Sequence, residues 1–206
     1  APTRLTCLRE ILELLAAHDI ERVHVSRFNR AYASRSPQDF IERVLLEGLG
    51  MRWLLIGDDF RFGARRAGDF SLLQEASRKH GFGLEAMPTI EQDGVRVSSS
   101  AVRAALAAGR LAEAEALLGR PYSISGRVVH GDKLGRRIGF PTANVQLRHN
   151  RPPLSGIFAV RTLDGRGHLR NGAASLGLRP TVDNSGRAKL EVHLFDFAGD
   201  LYGRRL

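Results

Sequence analysis

The spacing of apolar residues changes near Gly119, and this change constrains the fold more than any other feature of the chain. Before it, apolar residues recur at helical spacing in segments that alternate with short apolar runs, a pattern typical of alternating helices and strands. After it, extended segments separated by glycine turns show no helical period. We therefore predict an α/β domain with a parallel sheet over residues 1–119 and an all-β antiparallel barrel or sandwich over residues 120–206.

The first domain carries clear start and stop signals. Ser36 and Pro37 predict a helix start, and Gly48 or Gly50 its end. The apolar run over residues 51–56 predicts a strand that is buried on both faces. We expect further helices over residues 5–17, 70–80, 100–108 and 111–118, strands over 23–28 and 84–90, and a tight turn at 93–94. In the second domain we expect extended segments at 122–130, 157–162 and 190–197, with a turn at 165–167.

Composition limits the partners. The chain has 206 residues, and a formal net charge of +9 attracts nucleic acid, acidic membrane or phosphorylated small molecules. Its arginines are scattered, whereas nucleic-acid arms usually carry basic blocks. The sequence has neither a signal-peptide pattern nor an apolar stretch of the length a membrane helix needs, so we expect a cytoplasmic location and no membrane partner. The single cysteine, Cys7, predicts a small buried side chain rather than a disulfide.

The loop Gly57–Gly63 follows the apolar strand, at the end where open α/β sheets bind ligands. Its glycines permit close approach, aromatic rings can stack on a planar ligand, and guanidinium groups can bind phosphate. The candidate side chains are Phe60, Arg61, Phe62, Arg65 and Arg66. The alternative is a structural turn with buried phenylalanines.

Hydroxyl groups and two arginines gather at the start of a later helix. Ser99, Ser100, Arg96 and Arg103 lie where backbone N–H groups and the helix dipole favour an anion. The alternative is a serine N-cap without a ligand.

The segment Gly131–Asn144 has the composition of a loop that covers phosphate. Gly131, Lys133, Gly135 and Arg136 supply the flexible basic part, and Thr142 and Asn144 offer a neutral oxygen pair to a Mg²⁺–nucleotide complex. A hairpin with a solvated basic tip is the alternative. Glu191, the only acid in an extended segment, is a candidate general base, although such glutamates are commonly just solvated.

Together these motifs resemble the bacterial bifunctional riboflavin kinase/FMN adenylyltransferase family, also called FAD synthetase. Gly57–Gly63 and Val97–Arg103 are similar to motifs of its adenylyltransferase module, and Gly139–Asn144 and Glu191–Asp196 to motifs of its kinase module. The resemblance implies a Rossmann-like nucleotidyltransferase domain followed by a Greek-key barrel. It also implies ATP-dependent conversion of riboflavin to FMN and of FMN to FAD, with Mg²⁺ as cofactor.

The same resemblance assigns roles. Thr142 and Asn144 would hold Mg²⁺–ATP, Glu191 would take the ribityl hydroxyl proton, and residues 131–137 would cover the nucleotide. The implied flavin contacts are Asp59, Phe60, Arg179 and Thr181, and the implied adenylyl phosphate contacts are Arg96, Ser99, Ser100 and Arg103.

The chain departs from the family pattern in three places. It contains no His-x-Gly-His motif, it lacks a C-terminal helix after Leu206, and Ser100 stands where threonine is usual. We therefore expect it to be the middle of a longer enzyme. A catalytically inactive flavin- or nucleotide-binding relative and a basic nucleic-acid-binding module remain alternatives, and self-association stays open.

Overall fold

A computed structural model describes residues 3–57, 59–131, 139–147, 152–164, 167–178 and 188–206. The chain divides into two compact units, one of Ala1–Glu21 with Gln92–Leu206 and one of Arg22–Glu91. Among the described helices, none has the length and hydropathy of a membrane span.

The second unit is built on a parallel strand pair. Strands β1 (Trp53–Gly57) and β2 (Gly83–Met87) pair in parallel, and helix α4 (Phe70–His80) connects them. This confirms the predicted strand, helix and strand order. Gly81 ends α4 in the left-handed conformation, with φ of 76°.

The unit contains four further helices among its described residues, three before β1 and one after it. They are α2 (Arg30–Ala33), α3 (Pro37–Asp39), a π-helix (Phe40–Gly48) that continues α3, and a short 3₁₀ helix (Ala64–Arg66) between β1 and α4. Ser36 caps α3 as predicted, because its hydroxyl accepts a hydrogen bond from the Asp39 amide. The core of the unit consists of Ile41, Leu45, Phe62 and Leu73.

Two predictions for this unit are wrong. Residues 23–28 form no strand, because a strand needs a paired neighbour and the described residues supply none for this segment. Strand β1 is not buried on both faces, since Trp53 is 54% and Leu55 40% exposed. The apolar run therefore predicted a strand here correctly, but it did not predict whether each face of that strand is covered.

The first unit opens with helix α1 (Leu8–Ala17), as its periodicity predicts. Its apolar stripe is not its buried side, however: Leu8, Ile11 and Leu12 are exposed while Glu10 is buried. Cys7 precedes the helix as its N-cap and is only half-buried, which corrects the expected buried position.

Two further helices follow a hairpin. Strands β3 (Glu91–Gln92) and β4 (Val95–Arg96) flank the predicted turn, in which Asp93 and Gly94 both have positive φ. Helices α5 (Ser99–Ala107) and α6 (Leu111–Leu118) then pack through Val102, Ala105, Leu106, Ala114 and Leu117.

The rest of this unit is an antiparallel sheet of five strands in the order β5-β6-β9-β8-β7. The strands are β5 (Arg127–Val129), β6 (Ala143–Gln146), β7 (Gly156–Leu163), β8 (Leu169–Leu178) and β9 (Ala188–Leu194). Alternate residues of the inner strands fill one core, which contains Val145, Ala174, Leu176, Leu190, Val192 and Leu194. The antiparallel sheet is thus confirmed, although the strand expected over residues 122–130 is shortened to β5. The turn expected at 165–167 includes residues 165 and 166, which lie outside the described residues.

A buried polar contact joins α1 to the chain entering β5. Both the amide and the hydroxyl of Ser125 donate to Glu10 Oε1, at 2.7 and 2.8 Å, and the Cys7 amide donates to Oε2 at 2.6 Å. Burial by itself raises the pKa of Glu10, but these hydrogen bonds outweigh it, and the pKa lies below its usual value. Arg205 donates to Ser125 Oγ and is paired with Glu13 on the next turn of α1.

Candidate functional site

The antiparallel sheet carries one row of polar residues across its central strands. Asn144 of β6 lies directly opposite Glu191 of β9, and Glu191 lies opposite Ser175 of β8. Directly opposite residues point to the same face, with Cβ atoms about 4.5–5.5 Å apart. The neighbouring residues Val192 and Leu190 face the core, so alternation turns the amide and the carboxylate together onto the other face.

Thr142 lies just before the backbone ladder that holds this pair. The β6–β9 pairing includes Ala143 opposite Val192, one residue from the Asn144 and Glu191 pair. The structure therefore brings Thr142, Asn144 and Glu191 to one end of β6. They supply a hydroxyl, an amide and, from the paired strand, a carboxylate, a set that suits binding of a cation–phosphate complex and proton transfer.

Gly131 contacts the Asn144 amide so closely that a larger residue there would displace the Asn144 side chain. A Cβ atom added to Gly131 would lie 2.3 Å from Asn144 Nδ2 and 2.5 Å from its Cγ. The chain leaving β5 therefore runs along the candidate site, and a glycine allows this close approach while Asn144 keeps its position. Lys133, Gly135 and Arg136, the other residues predicted in this loop, lie outside the described residues.

A cavity of about 400 Å³ opens beside Thr142. Its lining is largely apolar, and its polar side chains include Thr142, Asp200 and Tyr202. The Tyr202 ring lies against the His130 ring, with centroids 4.0 Å apart and the planes inclined by 32°, next to Gly131. A concave, mostly apolar space with a few polar groups is the usual setting of a small-molecule site. Arg179 and Thr181, the predicted flavin contacts of this half, lie outside the described residues.

The second candidate site begins helix α5. Ser98 is its N-cap, because its hydroxyl accepts a hydrogen bond from the Ala101 amide at 3.1 Å. The two predicted serines, Ser99 and Ser100, lie in the first turn with exposed side chains. The capping role that the sequence left open thus belongs to Ser98, which leaves both predicted hydroxyls at the positive end of the helix.

The two arginines near α5 differ in their surroundings. Arg103 is half-buried, and its Nε donates to the Thr3 carbonyl at 2.6 Å, which gives this side chain a structural contact. Arg96 lies in β4 and is exposed. Both arginines thus lie within a few residues of the start of helix α5. The contact with Thr3 gives Arg103 a competing structural role.

The third candidate site is the loop after β1. Asp59 is exposed, and Phe60 is 36% exposed and stacks on Phe62 with ring centroids 5.7 Å apart. Phe62 itself is a core residue at 6% exposure, so the suggestion that it stacks on a ligand is wrong. Burial of Phe62 fixes the loop, and Phe60 keeps an accessible face.

The arginines of this loop have distinct environments. Arg61 pairs with Asp69 at 3.4 Å, whereas Arg65 and Arg66 are exposed and both have positive φ. Left-handed conformations are uncommon for arginine, and they turn this part of the chain away from helical continuation.

His193 lies next to the candidate site and was not among the predicted site residues. Its Nδ1 atom lies 2.8 Å from the Pro141 carbonyl oxygen, and it shares a face of β9 with Glu191. The signal available in the sequence was its position two residues after Glu191 in an alternating strand.

Two family models match different parts of the chain. A family model described as riboflavin kinase matches residues 118–206, and one described as FAD synthetase matches residues 1–101. The antiparallel sheet with Asn144 and Glu191 lies within the riboflavin kinase match. The chain is thus of the class that joins a FAD synthetase module to a riboflavin kinase module.

Whole-chain relatives agree. The chain is 52% identical over 206 residues to a bifunctional riboflavin kinase/FMN adenylyltransferase of Escherichia coli (strain K12), and 50% identical to one of Pseudomonas fluorescens. In both cases all of this chain and 66% of the relative are covered, so the chain spans slightly less than two thirds of their length. A Buchnera aphidicola relative of the same description is 36% identical, with 67% of it covered. The chain belongs to the bifunctional riboflavin kinase/FMN adenylyltransferase family.

A solved structure has a similar fold. It is described as a macrolide-efflux protein from Streptococcus pneumoniae, and it matches 98% of this chain and 64% of its own with a TM-score of 0.79 at 28% identity.

Proposed function

We propose that the protein of which this chain is part makes flavin cofactors, phosphorylating riboflavin to FMN and adenylylating FMN to FAD, with ATP as the co-substrate of both steps. The observation that carries the kinase assignment is the pairing of Asn144 with Glu191, beside Thr142. This pairing lies in the segment that matches riboflavin kinase.

In the kinase reaction, Glu191 acts as general base. Its carboxylate accepts the proton of the terminal ribityl hydroxyl as that oxygen attacks the γ-phosphorus, and ADP leaves with the electrons of the broken P–O bond. Phosphoryl transfer depends chiefly on positioning and charge neutralisation. Asn144, fixed opposite Glu191 and packed on Gly131, holds the nucleotide end of the reaction next to the base.

Mg²⁺ fits this end of β6. Mg²⁺ prefers oxygen ligands and is usually held by few protein groups together with substrate phosphates. The Thr142 hydroxyl and the Asn144 amide oxygen are such donors, two residues apart at the start of β6, and Thr142 also lines the 400 Å³ cavity. When bound, the ion would neutralise charge on the ATP phosphates.

For adenylylation, we propose that the α5 start binds ATP phosphates. Ser99 and Ser100 offer hydroxyls in the first turn, and Arg96 and Arg103 supply positive charge. In the loop after β1, Asp59 and the open face of Phe60 are proposed flavin contacts.

The finer architecture is part of the same proposal. We propose that the antiparallel sheet is part of a Greek-key barrel, that the β1–α4–β2 unit is part of a Rossmann-like domain, and that the domains meet near residues 119 and 120. Pairing of the segment after Gly203 with Gly126 and Val128 extends the sheet beyond β5 and supports a barrel. Cytoplasmic location stays a prediction, as does the absence of a membrane partner.

The test is to incubate the full-length protein with riboflavin and Mg²⁺–ATP and to separate riboflavin, FMN and FAD by chromatography. We expect FMN to form first and FAD to follow. Retention of flavin without any product would indicate an inactive relative. Binding to duplex DNA that weakens steeply with salt, with no flavin binding, would indicate a nucleic-acid module instead.

A further inference from the structure

The side chain of His193 ties the turn before β6 to strand β9. Its Nδ1 lies 2.8 Å from the Pro141 carbonyl oxygen, within hydrogen-bond distance. A carbonyl only accepts, so Nδ1 carries the hydrogen and donates it. The imidazole is also held edge-on by Phe140 and Phe195, with ring centroids 5.6 and 5.7 Å away.

This bond extends the attachment of β6 to β9 beyond the backbone pairs. The pairs between these strands are Ala143 with Val192, Asn144 with Glu191 and Val145 with Leu190. Proline has no N–H, so the carbonyl of Pro141 is its only backbone group that can be held by a hydrogen bond. His193 fixes that carbonyl one residue before Thr142.

We propose that His193 is a positioning residue for nucleotide binding in the kinase module, acting through the Pro141 carbonyl on the hydroxyl of Thr142. This inference rests on the proposed kinase function. With both ends of the tripeptide 142–144 attached to β9, the Thr142 oxygen and the Asn144 oxygen keep a fixed separation, as a shared cation–phosphate ligand requires. Because His193 acts through Pro141, its loss weakens binding of Mg²⁺–ATP and leaves proton transfer by Glu191 in place.

The position of Nδ1 in the imidazole predicts which substitution of His193 can restore the hydrogen bond to Pro141. Nδ1 is bonded to Cγ, so an asparagine at this position places its Nδ2 donor close to the same point. A glutamine extends its donor one bond further, to the region of Nε2. His193→Asn therefore keeps the donor near the Pro141 carbonyl, whereas His193→Gln displaces it and His193→Phe removes it while retaining a ring between Phe140 and Phe195.

The experiment measures riboflavin phosphorylation by the full-length protein and its His193→Phe, His193→Asn and His193→Gln variants, with calorimetric titration of Mg²⁺–ADP. One neutral hydrogen bond contributes a net amount that corresponds to about two- to tenfold in an equilibrium constant. We expect His193→Phe to raise the KM for Mg²⁺–ATP and the Kd for Mg²⁺–ADP by that factor. The kcat and the KM for riboflavin should stay within about twofold. His193→Asn should recover most of the affinity, and His193→Gln should not.

His18→Phe, at the exposed end of α1, is the matched control and should change none of these values. Unchanged nucleotide affinity in an active His193→Phe enzyme would overturn this inference but not the proposed function. So would an equal loss of kcat and of both affinities with a lowered Tm in all three variants, since that marks a merely structural histidine. A wild-type protein that makes no FMN would overturn the proposed function, and this inference with it.

Discussion

Asn144 and Glu191 are direct cross-strand partners, although along the chain Asn144 belongs to the second strand of the antiparallel sheet and Glu191 to the last. The pairing puts a candidate nucleotide ligand and a candidate base on one face of adjacent strands. The strand order, with β6 next to β9, creates this relationship.

The first prediction concerns the base. Glu191→Gln keeps the size of the side chain but removes the proton acceptor, so riboflavin phosphorylation should fall by about 10²–10⁴-fold. Affinities for riboflavin and ATP should change little, because the variant alters the transition state more than the ground state. Steady-state kinetics and ligand titration on the full-length protein measure both quantities. Near-normal turnover would show that Glu191 is not the general base.

The second prediction separates the two activities. Asn144→Ala should weaken use of Mg²⁺–ATP in riboflavin phosphorylation by roughly tenfold or more, the effect of losing a hydrogen bond to a charged ligand. FMN adenylylation should largely survive, since the proposed adenylyl contacts come from other segments. Gln146→Ala, on the same face of β6, is the control and should leave both rates unchanged. Equal loss of both activities in Asn144→Ala would contradict separate sites.

The third prediction distinguishes two roles of Arg103. Its hydrogen bond to the Thr3 carbonyl predicts that Arg103→Ala lowers Tm. Its proposed phosphate contact predicts, in addition, that FAD formation from FMN falls by roughly 10–100-fold per folded molecule. Thermal unfolding and kinetics corrected for the folded fraction measure the two effects on the full-length protein. A lowered Tm with normal kinetics would leave Arg103 only its structural role.

The fourth prediction concerns acid stability. The pKa of Glu10 is lower in the folded chain than its usual value of 4.5, so its contribution is fully present above pH 4.5 and is lost as the pH falls through the folded pKa. Glu10→Gln replaces one acceptor oxygen by a donor facing the Cys7 or Ser125 amide, and should cost about 1–3 kcal/mol at pH 7.

Denaturant unfolding at pH 7 and at about pH 4 measures this contribution. The wild type should lose stability in acid, and the difference between wild type and Glu10→Gln should shrink there. Glu13→Gln is the control, because Glu13 pairs with Arg205 near the surface and such pairs contribute about 0–1 kcal/mol. Equal effects of the two variants at both pH values would count against a special role of Glu10.

Local patterns predicted many elements of this chain correctly. The predicted bounds of α4 and α6 agree with the structure, because apolar spacing and terminal glycines are local properties that a short segment carries by itself. Alternation around Glu191 likewise predicted that Leu190 and Val192 share the face opposite the carboxylate. The family followed from motifs in the same way, and the matched relatives confirm it.

Tertiary structure decided what each face meets. Periodicity identified an apolar stripe on α1, yet the fold leaves most of that stripe exposed. It buries Glu10 instead, which accepts hydrogen bonds from Ser125, a residue far along the chain. Strand order brought Asn144 opposite Glu191 and placed His193 on the Pro141 carbonyl. Residue spacing reports which side of an element is apolar or polar, whereas the partner of that side depends on contacts between distant segments, which form only when the whole chain folds.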